Sequence, residues 1–146
     1  MIDRFQGVLH AAARIITGVR KYDHITPTLR DEFHWMLVTQ CIIFKLCLTA
    51  YKALHGMTPS YIAELSHPVA ATHYRSRLRS ATCSDLVAPR TCLELGKRAF
   101  SVAGPTARNN LLLSVRLASY ITTLKTALKT YFFYSVLPMM HWNTDN

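Results

Sequence analysis

"CIIFKLCLTAYKALHG" at residues 41–56 decides how the chain folds. It is the longest apolar stretch, but Lys45 and Lys52 interrupt it, whereas a membrane span needs about 20 consecutive, mostly apolar residues. Its apolar positions, Ile42, Ile43, Leu46, Ala50, Ala53 and Leu54, recur at helical intervals. That spacing makes one broad face of a helix rather than the alternating faces of a strand. Thr39 is the expected N-cap and Gly56 the stop, since glycine enters the left-handed conformation that ends helices at little cost. The stretch reads as a core helix over 39–55, and no transmembrane segment is expected.

Outward from it the same signals recur. Asp3 and Gln6 have the spacing of a capping box, and Phe5, Val8, Leu9, Ala12, Ile15 and Ile16 keep helical intervals up to Gly18. This predicts a helix over 3–17, packed by Phe5, Leu9, Ile15 and Ile16 against the helix over 39–55. Thr26-Pro27 and Thr58-Pro59 each read as an N-cap followed by proline at the first helical position, where a missing N–H removes no bond. Four helices thus fill an N-terminal part, 1–66. From 67 to 96, Pro68, Pro89 and Gly96 among Ser and Thr predict a loop or ribbon segment. "DLVAPR" and "TCLEL" are its candidate strands, a short two-stranded β-ribbon around 84–95. A C-terminal helical part, 97–137, holds an irregular helix disturbed at Gly104-Pro105 and a last helix from near Ser119. The latter carries Ile121, Leu124, Leu128, Tyr131 and Phe132 on one face. Residues 138–146 are expected to fray. The fold class is mainly α, one small irregular domain of five to six helices.

Composition narrows the function. Half of the 146 residues are hydrophobic and 17% are charged, which excludes global disorder, and the length excludes a complete polymerase. Lys and Arg number 17 against 8 Asp and Glu, a net charge of +9. Such an excess favours polyanions, nucleic acid before an acidic membrane surface. Cys41, Cys47, Cys83 and Cys92 make no CxxC pair and no dense disulfide framework. With no recognisable secretory signal, the expectation is reduced thiols inside a cell, in nucleus or cytoplasm.

No catalytic or metal constellation emerges. "YDHITPTLRDEFHW" at 22–35 collects acids and histidines, yet His24 and His34 are separated by a proline-led turn at no metal spacing. Asp31 and Glu32 are adjacent on a helix and diverge by about 100°. The cysteines lack a second pair at ligand spacing, and the GxSxG, P-loop and GxGxxG patterns are missing. None of the aspartates (3, 23, 31, 85, 145) neighbours another, so the Asp-Asp pair of a two-metal polymerase centre is missing too. The expectation is a chain with no cofactor, no metal and no activity of its own. The basic residues say more. Arg75, Arg77 and Arg79 alternate beside Tyr74, and an extended chain would set all three on one face, with the ring near enough to stack on a base. Arg90, Lys97 and Arg98 continue the series. These six are the candidate nucleic-acid contacts, for weak, non-specific binding of RNA or DNA.

Five segments in order, "AAARIITGVRKYDHITPTLRDEFHW", "FKLCLTAYKALHGMTPSYIAEL", "LRSAT", "VAPRTCLELGKRAFSVAGP" and "LKTALKT", resemble one family. They look like the region after the catalytic core in the polyprotein of non-LTR (LINE-type, jockey-like) retrotransposons. The resemblance covers residues 4–133. It implies a fragment of a mobile-element reverse transcriptase, an enzyme that copies RNA into DNA at a nicked chromosomal site. The endonuclease and the palm, with its Tyr-x-Asp-Asp motif, would lie upstream of this region. The resemblance also implies that the region follows the thumb, partners the upstream core in an intact member and helps to hold template RNA or target DNA.

Departures from the family pattern are specific. Where the family reads His-Trp-Leu-Pro-Val and then an arginine, this chain has His34, Trp35, Met36, Leu37, Val38 and then Cys41. Pro-Arg-Thr-Arg becomes Pro89, Arg90, Thr91, Cys92, and Trp-Asn-x-Leu-Pro becomes Arg108, Asn109, Asn110, Leu111, Leu112. Each Arg-to-Cys, Pro-to-Leu and Trp-to-Arg change is a single transition in a codon, as expected of an ageing copy. Losing a core tryptophan costs about 3–5 kcal/mol where a cavity persists. Two readings follow: a decayed, non-catalytic remnant with residual nucleic-acid affinity, or a helical module retained for protein interaction. A continuous basic face favours the first, an exposed apolar patch the second.

Overall fold

Glycine and proline punctuate the helices close to where the sequence places them. The structure, a computed structural model, describes residues 2–74 and 77–135. Its α-helices are α1 (Ile2–Thr17), α2 (Thr26–Asp31), α3 (Val38–Leu54), α4 (Ser60–Ala63), α5 (Arg79–Thr82), α6 (Phe100–Asn109), α7 (Leu113–Arg116) and α8 (Ile121–Ser135). Short 3-10 turns occupy Val69–Ala71 and Gly96–Arg98. Among the described residues the fold is all-α and holds no strand. Five of the helices, α1, α2, α3, α6 and α8, run for six residues or more. The chain divides into two compact units, one made of the chain up to Ile42 with the last helix from Thr130 onward, the other of Ile43–Lys129.

In the first unit α1 ends at Gly18, whose φ of 69° is strained for any residue with a Cβ. Ala13, Ile25 and Leu29 are its buried core, with Leu9, Val19, Phe33 and Trp35 packed against them. The Phe33 and Trp35 rings stack at 5.0 Å. Because Ala13 has no side chain beyond Cβ, it lets the α1 and α2 backbones approach, and this choice of flank turns the apolar stripe outward. Phe5 is 60% exposed, Val8 69%, Ile15 83% and Ile16 62%. The expected packing of Phe5, Ile15 and Ile16 against α3 is therefore corrected. α1 meets the start of α3 through a polar contact instead, the Val38 N–H donating to Gln6 Oε1 at 2.9 Å.

Capping is also shifted from the expected residues. Gln40 Oε1 accepts the Leu37 N–H at 3.1 Å, half of a capping box, while its Nε2 donates to the Phe132 carbonyl at 3.0 Å. Thr39 lies inside α3 rather than at its cap. Thr26 is the first helical residue behind Ile25, and Pro59 rather than Thr58 caps α4.

In the second unit α3 stops on Gly56, with a φ of 65°. The Met57 N–H donates to the Lys52 carbonyl at 2.8 Å and the Gly56 N–H to that of Ala53 at 3.4 Å, the paired bonds of a Schellman stop. The α3 residues Cys47, Leu48, Ala50, Tyr51 and Ala53 are buried, as are Leu111, Val115, Leu124 and Leu128. Tyr51 Oη donates to the Ser119 carbonyl at 3.0 Å. The α8 face carries Leu124 and Leu128 as its spacing predicts. Helix α6 runs unbroken through Gly104 and Pro105, both buried, where a disturbance was expected. A Cβ at 104 would lie 2.8 Å from Phe100 Cε2, so a larger residue there would have to displace that ring.

The ribbon considered over 84–95 does not form. A single antiparallel bridge joins Pro68 and Leu86, through the Val69 N–H to the Asp85 carbonyl (2.9 Å) and the Val87 N–H to the His67 carbonyl (2.8 Å). Leu86 turns its own backbone groups the other way, and the Asn109 side-chain amide takes both. Asn109 Oδ1 accepts the Leu86 N–H at 2.9 Å, and Nδ2 donates to its carbonyl at 2.8 Å. A second strand finds no free groups there. Further on the chain winds up, the Lys97 N–H bonding to Leu93 and the Arg98 N–H to Leu95. The tail expected to fray, 138–146, lies outside the described residues.

Candidate nucleic-acid interface

Among the six basic candidates, Arg75 lies outside the described residues. Arg77 is exposed in the turn before α5, and Arg79 opens that helix. Over 77–79 the backbone is thus turn and helix start rather than extended chain. Tyr74 is 91% exposed, with the His73 ring edge-on at 5.3 Å. Arg90 is exposed in the irregular stretch after the bridge, while Lys97 and Arg98 share the 3-10 turn that leads into α6. Lys97 is ion-paired with Glu94 three residues earlier, which offsets part of its charge. Among the described residues Arg77, Arg90 and Arg98 enter no ion pair.

A buried charge cluster has no local sign in the sequence. Arg108, on α6, is only 7% exposed. Its Nη1 donates to the Ser84 carbonyl at 2.6 Å and its Nη2 to the Arg116 carbonyl at 3.4 Å. Ser84 is held there at a φ of 56°, a conformation rare for a residue with a side chain. Asp85 is ion-paired with Arg116, and Arg108 feels the same carboxylate without forming an ion pair to it. Burial draws the Arg108 pKa below its ordinary value, Arg116 adds to the effect, and Asp85 opposes it. Arg116 Nε is buried without a hydrogen-bond partner. Close by, burial pushes the Cys47 thiol up to about 12 despite the opposing pull of Arg108. These residues come from α3, α6, α7 and the turn after α5, so no motif spacing could have revealed them.

The acid- and histidine-bearing stretch at 22–35 is a structural turn. His24 and His34 are both exposed. His34 takes a φ of 52°, and its ring lies 6.2 Å from that of Phe133. Asp31 is bonded by Arg30 Nε at 2.6 Å, which holds its carboxyl below the usual range. Leu29, Trp35, Phe132 and Phe133 line a small apolar cavity, and its polar neighbours Arg30 and Gln40 are already hydrogen-bonded as described. Among the described residues no group of three or more His, Cys, Asp or Glu is placed to hold a metal ion, and no helix is long and apolar enough to cross a membrane. Comparison with family models, curated proteins and solved structures gave no match.

Proposed function

We propose that the chain is a non-catalytic C-terminal piece of a non-LTR (LINE-type, jockey-like) retrotransposon reverse transcriptase, a decayed copy with weak, sequence-independent affinity for RNA or DNA. Charge carries the binding half of this reading: +9 overall, with Arg77, Arg90 and Arg98 exposed and outside the ion pairs of the described residues. Phosphate contacts release counterions and carry no base information, so affinity is non-specific and salt-sensitive. The five ordered segments support the origin. Burial at position 108 supports an aged copy, since a cation sits inside where the family pattern has an apolar ring. With no Asp-Asp pair and no activated nucleophile in the sequence, this reading assigns the chain no polymerase, nuclease or hydrolase activity. Its partner in an intact relative is the upstream core.

The test is salt dependence, read by anisotropy of a labelled RNA. Changing Arg75, Arg77 and Arg79 together to Ala should flatten the slope of log K against log salt by about 2–3 units, at ~0.7–0.9 per phosphate contact. An unchanged slope would reduce these arginines to a solvated loop, and tight binding that survives high salt would refute the electrostatic reading. The origin is tested separately, by whether genomic DNA on the 5′ side encodes a palm and an endonuclease.

A second reading, a helical module retained for protein interaction, is favoured by the exposed α1 stripe of Phe5, Val8, Ile15 and Ile16. On that reading Val8→Asp with Ile15→Asp abolishes binding of a protein partner and leaves the RNA salt slope untouched.

A further inference from the structure

The turn after α1 combines features that the six candidate residues do not include. Tyr22 is 90% exposed, and Lys21 Nζ lies 5.7 Å from the centre of its ring. Arg20 and Lys21 are exposed, and among the described residues neither enters an ion pair, in contrast to Arg30, Lys97 and Arg116. The turn is held in place from both sides. The Asp23 N–H donates to the Arg20 carbonyl at 3.2 Å, and Arg14 Nη2 reaches back from α1 to the Asp23 carbonyl, also at 3.2 Å. A ring that buries almost none of its surface adds little to the core, and on this pinned backbone it directly follows two cations that enter no ion pair among the described residues.

Resting on the nucleic-acid reading above, we propose that Arg20, Lys21 and Tyr22 form a contact for single-stranded RNA or DNA. Tyr22 stacks on an unpaired base while Arg20 and Lys21 take the flanking phosphates. Every base offers a π-face, so such a platform tolerates any sequence, and the Lys21 cation already over the ring fits the same arrangement. A duplex keeps its bases stacked on each other and offers Tyr22 nothing but its ends. The preference is therefore for single strands.

The experiment uses the full chain with labelled oligo(U) and with a duplex RNA as probes. Tyr22→Ala should weaken oligo(U) binding about 5- to 10-fold, the lower part of the range for a base stacked on an aromatic ring. It should leave both the salt slope and the duplex affinity unchanged, and Tyr22→Phe should bind as wild type. Arg20→Ala with Lys21→Ala should lower the oligo(U) salt slope by about 1.4, at ~0.7 per single-strand contact. Since Tyr22 is exposed, circular dichroism of all variants should match wild type. If Tyr22→Ala binds oligo(U) normally while the Arg75, Arg77 and Arg79 variant shows its flattened slope, this contact is refuted and the wider nucleic-acid reading stands. If the wild-type chain binds neither probe, both fall. Loss of binding to phosphatidylserine vesicles on Tyr22→Ala, with oligo(U) binding intact, would assign the turn to a lipid surface and overturn the proposal.

Discussion

Replacing Arg108 by methionine should make the protein more stable, although it deletes two hydrogen bonds. Bringing a guanidinium into the interior costs several kcal/mol even after relaxation. Against this Arg108 has one short bond to the Ser84 carbonyl, about 1.5–3 kcal/mol for a charged donor, and one long, weak bond to the Arg116 carbonyl. The neighbouring carboxylate, Asp85, is already engaged by Arg116. Methionine fills similar volume with no charge and leaves the Ser84 carbonyl short of a donor, a loss of about 1–3 kcal/mol. The balance favours the variant by about 1 kcal/mol, at the low end for exchanging buried ions for apolar groups. Asp85→Asn should act in the opposite direction. It strands Arg116, whose pair is 11% and 23% exposed, and takes from Arg108 the nearby negative charge, a loss of about 3 kcal/mol. In the Arg108→Met background that loss should shrink, because one cation fewer is left uncompensated. Urea unfolding followed by far-UV circular dichroism measures all three. A loss of about 2 kcal/mol or more in Arg108→Met would refute the reasoning, by showing that the carbonyl bonds outweigh the burial of charge. Arg108→Trp adds a check on the family resemblance, since a site shaped for tryptophan should accept it at least as well as methionine.

Thiol labelling of the native protein at pH 8 should modify the exposed Cys41 and Cys92 quickly and spare the buried Cys47. With its pKa near 12, about one Cys47 in ten thousand is thiolate at that pH. Mass spectrometry locates the label, and modification of Cys47 at the rate of Cys41 would contradict its burial. Ile16→Asp should change stability by less than about 0.5 kcal/mol, because the residue is 62% exposed. Leu29→Ala, at a site 1% exposed, should cost about 3 kcal/mol, and equal costs for the two would mean that α1 packs through its apolar stripe after all.

The helices were legible because their signals are local. Gly56 stops α3 where its φ must turn positive, and Leu124 and Leu128 are buried at the spacing that predicts them. What periodicity leaves open is which flank of an amphipathic helix meets the core. In α1 the inner side carries Leu9 and the small Ala13 together with half-buried Gln6 and Thr17, and Gln6 also accepts the Val38 N–H, while most of the apolar stripe stays outside. The ribbon was misread for a similar reason. Alternation in "DLVAPR" is a strand signal, but the partner of Leu86 is the amide of Asn109, which no pattern of spacing indicates. At the candidate interface the excess of charge is visible in composition, and the Glu94–Lys97 pair could have been read from its spacing. The turn at Arg77 and the helix that Arg79 opens could not, since arginines at alternate positions read as extended chain.

The bridge between Pro68 and Leu86 has a consequence for self-association. An isolated pair of extended residues ordinarily leaves a row of free N–H and C=O groups at each edge, a template on which strands from other molecules can add. Here both edges are closed. On one side the Asn109 amide occupies the N–H and the carbonyl of Leu86. On the other, proline has no N–H to offer, and the Pro68 carbonyl accepts the Ala71 N–H at 3.1 Å within the 3-10 turn. The bridge cannot grow into a sheet, either within the molecule or between molecules, so any aggregation of this basic chain has to begin elsewhere.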